Sequence, residues 1–202
     1  IVSQIGYLIM GLGIFTVASL TGTVYFMIHV IIAKSALFLV SGITQIISGT
    51  SDLKQMGSFY RGYPLLAVLF LLPALALGGI PPLSGFWAKL ALVRAGLEAE
   101  QYLIVFVSLL VGMLTLYSMT KIWTEAFWKE STKMDADAIQ AEVATINRVR
   151  LVALIAPLAL LSVLTLVIGI GAEPILALAQ QAAEQLLNPD LYIDAVLGGE
   201  TQ

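Results

Sequence analysis

Residues 63–97 form an apolar stretch of roughly 35 residues, against the ~20 that a straight membrane helix needs. It is interrupted at its middle by Gly78-Gly79-Ile80-Pro81-Pro82-Leu83-Ser84-Gly85. Glycines let the backbone leave the helix. Two prolines remove two N–H donors and disfavour helix just before them. The same prolines suit the first turn of a new helix. The stretch is therefore expected to be one discontinuous span, broken at Gly79, Pro81, Pro82 and Gly85, with Lys89 early in its second half. Non-helical backbone within a bilayer persists only where protein or water covers it. Broken helices and intramembrane charges mark ion pathways.

The surrounding chain has the composition of a membrane protein. Hydrophobic residues make up 59% of it and charged residues 11%, with a mean hydropathy of +0.94. Soluble domains carry about 25% charge. There is no cysteine, which removes disulfide and thiolate chemistry. No phosphate-binding loop, dinucleotide fingerprint or zinc-protease motif is present, and nothing points to nucleic acid. No cofactor or metal is expected. The chain begins at Ile1, with no basic n-region before its first apolar run. It is expected to be part of something longer.

Five membrane segments are expected in an all-α integral membrane protein. They cover about 1–19, 24–47, the broken 63–97, 102–123 and 151–171. Ser19 to Thr23 reads as a turn. Gly6, Gly11 and Gly13 suit close helix approach in the first segment. Asp135 to Glu142 reads as a short surface helix. After Pro174 the chain reads as an amphipathic helix carrying Ile175, Leu178, Ala182, Gln185 and Leu186. The organisation is thus a transmembrane domain over 1–173 and an amphipathic tail over 174–202.

The loop charges set an orientation. With five crossings, one side collects Lys54, Arg61, Lys121, Lys129, Lys133, Arg148 and Arg150, and the other only Arg94. The positive-inside rule makes loops 48–62 and 124–150 cytoplasmic and the C-terminus external.

Both deep charges are lysines. Lys34 lies roughly 15 and 21 Å from the ends of its expected segment, too far for its stem to reach either surface. Lysine can give up its proton, whereas arginine cannot. Ser41, Gln45 and Ser48 fall within about 40° of Lys34 at 100° per residue, making a polar line toward the basic side. Lys89 is about 12 Å from the outer end of its half-helix, beside a helix N-terminus whose dipole repels a cation. His29, the only histidine, is turned about 140° from Lys34. It is expected to be either a relay or a hydrogen-bonded structural group. Ser108, Gly112, Thr115 and Ser118 read as a packing stripe, and Glu125 as either a proton entry acceptor or, in preference, an interface charge near Lys121 and Lys129.

Ser3-Gln4-Ile5-Gly6-Tyr7, His29 with Lys34-Ser35-Ala36-Leu37-Phe38-Leu39, and above all Gly79-Ile80-Pro81-Pro82-Leu83-Ser84-Gly85-Phe86-Trp87-Ala88-Lys89 resemble the proton-translocating antiporter-type subunits. That family is shared by respiratory complex I and the Mrp multisubunit Na+/H+ antiporters. Tyr117 to Trp128 and Tyr192 to Gly199 resemble the D-type subunits of the Mrp group. The resemblance implies a parent of fourteen helices in two inverted repeats, of which this chain would be helices ten to fourteen. Lys89 would be the exit-side proton group, with Lys34 and His29 on the central hydrophilic axis. Val30 stands where many relatives carry a second histidine. The implied partners are other antiporter subunits, membrane lipid, H+ and Na+, in a bacterial inner membrane. Two other readings stay open: a proton-pumping subunit of an NADH–quinone oxidoreductase, and a lateral scaffold whose lysines only fix helix packing.

Overall fold

The chain leaves its first helix at Phe15, whose φ of 54° no helix accommodates, and restarts one residue later. The computed structural model describes residues 2–131, 135–190, 193 and 196. Lys133 and, within the Tyr192–Gly199 stretch, every residue but Ile193 and Val196 lie outside the described residues. All regular elements among the described residues are helical: α1 (Val2–Ile14), α2 (Val17–Ser48), α3 (Phe59–Gly62), α4 (Pro64–Gly78), α5 (Ser84–Glu98), α6 (Tyr102–Trp123), α7 (Ala136–Thr145), α8 (Arg148–Ile170) and α9 (Ala172–Leu187). A π-helical turn, Thr124–Trp128, extends α6. Among the described residues, three helices are long and apolar enough to cross a membrane: α2, α6 with its π turn, and α8. α1 and α4 are apolar but shorter.

The turn expected at Ser19–Thr23 is instead helix, and α2 runs for 32 residues. Thr16 caps it: its hydroxyl accepts from the Ser19 N–H at 3.2 Å while Ser19 Oγ accepts from the Thr16 N–H at 2.9 Å. This reciprocal pair satisfies two donors that a helix start leaves open. The polar run then stays helical because its hydroxyls bond back one turn. Thr21 donates to the Val17 carbonyl and Thr23 to that of Ser19. Such bonds satisfy the side chain within the helix. α2 closes at Gly49, at φ 67°, whose N–H reaches the Gln45 carbonyl, the left-handed ending that favours glycine.

α2 is the axis of the fold, touching α1, α4, α5, α8 and α9. Leu92 of α5 is fully buried in the wedge between α1 and α2. There a Cβ on Gly22 would come within 3.1 Å of Leu92, and one on Gly11 within 2.9 Å. Gly11 thus serves close packing as expected, whereas Gly6 and Gly13 face open space. A second core joins α2, α4 and the π turn through Ile43, Ile47, Phe70 and Phe127.

The connections 49–58 and 129–131 lie together at one end. The Ser58 N–H donates to the Lys129 carbonyl, and Ser131 Oγ donates to that of Gln55. α7 is a short, mostly exposed surface helix as expected, docked through Ile139, which is fully buried against Gly62. At the tail, the buried face of α9 is Ala172, Ala179 and Ala183, while Leu178 and Leu186 are exposed. Ile175 and Leu176 pack beside these alanines on the core, so α9 lies against α2 through an apolar face in which alanines are the most buried residues.

Candidate functional site

The end of α4 is defined by two hydrogen bonds. Gly79, at φ 87°, donates to the Ala76 carbonyl at 3.0 Å, and Ile80 donates to that of Leu75 at 3.1 Å. Together they form a Schellman ending. A turn follows, closed by Leu83 N–H to the Ile80 carbonyl at 3.1 Å. Its Pro81–Pro82 peptide is cis. Leu83 is extended, and α5 begins at Ser84. Pro81 and Pro82 are exposed, while Leu83, Ser84 and Gly85 are buried.

Lys89 turns back toward this break. Its Nζ donates to the Leu77 carbonyl at 2.7 Å and to that of Gly78 at 3.2 Å. These are the open carbonyls at the negative end of α4, where a cation is favoured. The expectation that the α5 N-terminal dipole dominates is therefore corrected. Side chains lean toward the N-terminus of their own helix, so the ammonium sits beyond the start of α5. The face of Tyr7 lies 5.3 Å from Nζ, within cation–π range. The Tyr7 hydroxyl donates to the Ser108 carbonyl, fixing the ring between α1 and α6. Gly112 completes the enclosure: a Cβ there would stand 3.8 Å from Nζ and 3.2 Å from the Tyr7 oxygen.

His29 meets the other side of the break. Its Nδ1 is 2.8 Å from Ser84 Oγ, and the residue is 1% exposed. Its Nε2 has no protein partner among the described residues. That nitrogen would lie 2.7 Å from a Cβ on Gly85. Removing the serine hydroxyl strands a buried ring nitrogen, which costs about 1–3 kcal/mol. Ser84→Ala is therefore expected to lower the thermal midpoint of the solubilised protein, with Ser84→Thr losing less. Equal midpoints would mean that the pair contributes nothing.

Lys34 is elsewhere. In the longer α2 it lies roughly 25 Å from one end and 21 Å from the other at 1.5 Å per residue. It lines a cavity of about 840 Å³ between α1, α2, α4 and α6. It makes no hydrogen bond or ion pair among the described residues. Ser41 shares the cavity, as do Thr115 and Ser118 of the small-residue stripe. Gln45 is exposed. Ser48 lines a neighbouring space of about 260 Å³.

The structure thus brings His29 and Lys89 to the same break, with Lys34 apart in the cavity. Sequence reasoning missed Gln4 and Thr44, both buried polar residues on the cavity wall. Thr44 fell outside the angular window drawn from Lys34. Gln4 stood in view only as part of a motif. Glu125 pairs with Lys129 at 3.0 Å. No cluster of potential metal ligands occurs among the described residues.

The family described as "NADH:quinone oxidoreductase/Mrp antiporter, TM" matches residues 1–115, which hold α1 through α5 and the first part of α6. The chain belongs to this family. It is 45% identical over 197 residues to the D-type subunit of the Na(+)/H(+) antiporter of Alkalihalophilus pseudofirmus, and 36% identical over 197 residues to that of Bacillus subtilis. Each alignment covers 98% of this chain and 38% of the relative. The chain therefore spans well under half the length of these relatives. The structure of the Mrp complex from Dietzia sp. DQ12-45-1b contains a chain that superposes with a TM-score of 0.83 at 35% identity, over 96% of this chain and 42% of that one. Family and apolar helices together make this a membrane protein.

Proposed function

We propose that the chain is the C-terminal part of an ion-translocating subunit of a multisubunit Na+/H+ antiporter, carrying protons along a path that includes Lys34, His29 and Lys89. The observation that carries the reading is the pairing of two lysines in different settings. Lys34 stands in a large cavity with no partner among the described residues. Lys89 is held by carbonyls at a helix break. Ionisable groups deep in apolar helices are expensive, which favours a transport role over packing. The likeness to the D-type antiporter subunits supports the coupling of H+ to Na+ and partnership with other antiporter subunits.

In this reading α4 and α5 make one discontinuous crossing. With α1, α2, α6 and α8 it gives five segments over 1–173, followed by an extracytoplasmic tail over 174–202. Loops 48–62 and 124–150 face the cytoplasm of a bacterium. The contacts between their described parts agree with a common side for the basic residues Lys54, Arg61, Lys121, Lys129, Arg148 and Arg150.

Sodium–proton exchange by the whole complex in proteoliposomes tests the reading. Lys34→Ala is expected to cut exchange by about a hundredfold or more, the low end of what loss of a proton-transfer group costs. Exchange at the unaltered rate, with normal assembly, would overturn it. The family also includes the NADH:quinone oxidoreductases, which favours a second reading as a proton-pumping subunit of such an enzyme. Co-purification of this chain with flavin and iron–sulfur subunits would select it.

A further inference from the structure

We infer that Gln4 is a positioning residue that holds water between the Lys34 cavity and Lys89. The inference rests on the proposed role of the two lysines. Gln4 is 6% exposed, lines the same cavity as Lys34, and makes no hydrogen bond among the described residues. It sits one turn before Tyr7 on α1, and Tyr7 covers Lys89.

Two other residues join the cavity to the Lys89 site. Leu77 lines the cavity, and its carbonyl accepts the Lys89 ammonium at 2.7 Å. Val111 lines the cavity beside Gly112, which adjoins Nζ. Leu77 and the Val111–Gly112 pair thus border both the cavity and the Lys89 site, and α1 reaches the first through Gln4 and the second through Tyr7. The Tyr7 hydroxyl is committed to the Ser108 carbonyl. The nearby Thr115 hydroxyl is committed to the Val111 carbonyl at 2.8 Å. Gln4 is left as the polar side chain of this wall with uncommitted donors and acceptors.

An amide offers two donors and an acceptor with two lone pairs. It can orient a water facing Lys34 and another facing Lys89. The Gln4 amide is not among the sealed polar atoms without a partner. It borders a cavity of about 840 Å³ whose lining is mainly apolar, so water that enters gathers at its few polar groups, Gln4 and Lys34 among them. A proton then leaves one ammonium, passes through water and arrives on the other amine. Gln4 neither gains nor loses a proton.

The test separates water positioning from packing. In the whole antiporter complex in proteoliposomes, Gln4→Leu fills the space with an apolar group, while Gln4→Ser leaves room for a water. Gln4→Leu is expected to lower exchange about a hundredfold, the scale on which misplaced reacting groups lose rate. Gln4→Ser is expected to stay within about threefold, because a bridging water nearly replaces a direct bond. Both complexes should assemble normally. A packing role predicts the reverse order, with Leu tolerated and Ser impaired. Exchange at the unaltered rate in Gln4→Leu, or equal loss in both variants, overturns the inference. If Lys34→Ala and Lys89→Ala both exchange normally, the path reading itself fails. If those two are inactive while Gln4→Leu is active, only the role of Gln4 falls.

Discussion

Lys89→Ala is expected to bring exchange by the assembled complex down by about a hundredfold or more, and Lys89→Arg to do almost the same. The second substitution is the decisive one. The Lys89 ammonium bonds the carbonyls of Leu77 and Gly78 at 2.7 and 3.2 Å and lies over the Tyr7 ring. All of this is what a purely structural cap of α4 would do. An arginine offers more donors for the same carbonyls and stacks at least as well on an aromatic face. A cap would therefore tolerate it. A proton carrier would not, because the guanidinium keeps its proton under any condition a protein meets.

Alanine alone would leave the two roles entangled. Hydrogen bonds to a charged group contribute about 1.5–3 kcal/mol each, so Lys89→Ala weakens the junction of α4 and α5 as well as the path. Exchange measured per assembled complex, with complex quantified by size-exclusion chromatography, removes that ambiguity. Lys89→Arg assembling normally but failing to exchange is the expected outcome. Lys89→Arg exchanging like the unaltered complex would make Lys89 a cap and leave Lys34 to carry the proposal.

The break at 78–85 was legible because glycine and proline act locally. Gly79 takes φ 87°, and no longer-range contact is needed to foresee that the helix ends there. The position of the Lys89 head group was not legible in the same way. Sequence spacing placed Lys89 beside the N-terminus of α5, but its long stem carries the charge back to the C-terminus of α4. That changes the sign of the nearest helix dipole. The polar run from Ser19 to Thr23 resembled a turn, and its hydroxyls resolved the matter by bonding one turn back within α2. Composition cannot distinguish the two, since the same hydroxyls serve either structure. That α9 is helical was legible, but which of its residues make the contact was not: close approach of two helices in an apolar setting selects small side chains, and Ala179 and Ala183 are the most buried. Lys34 was placed in a polar setting by periodicity, whereas Gln4 and Thr44 entered the site only through the packing of α1, α2 and α6.

Gly85→Ala is expected to remove most of the assembled protein from the membrane, while Gly6→Ala leaves its amount unchanged. A Cβ at Gly85 would overlap the Ala76 carbonyl and stand 2.7 Å from His29 Nε2. The carbonyl belongs to the last turn of α4, which the Schellman bonds at Gly79 and Ile80 already hold. It cannot yield without loosening the turn that places Lys89. Overpacking a tight interior costs about 1–3 kcal/mol and occasionally more, a large share of a marginal stability. Gly6 faces open space within the same fold, and alanine in an exposed helix is favourable by roughly 0.5–1 kcal/mol. The pair therefore separates the loss of a glycine from the closure of this particular contact. His29→Ala combined with Gly85→Ala relieves one neighbour but not the backbone oxygen, so the double variant should remain defective. Recovery of normal levels in that double variant would place the conflict on the histidine ring. Normal levels in Gly85→Ala alone would mean that α4 and α5 can separate freely at the turn between them.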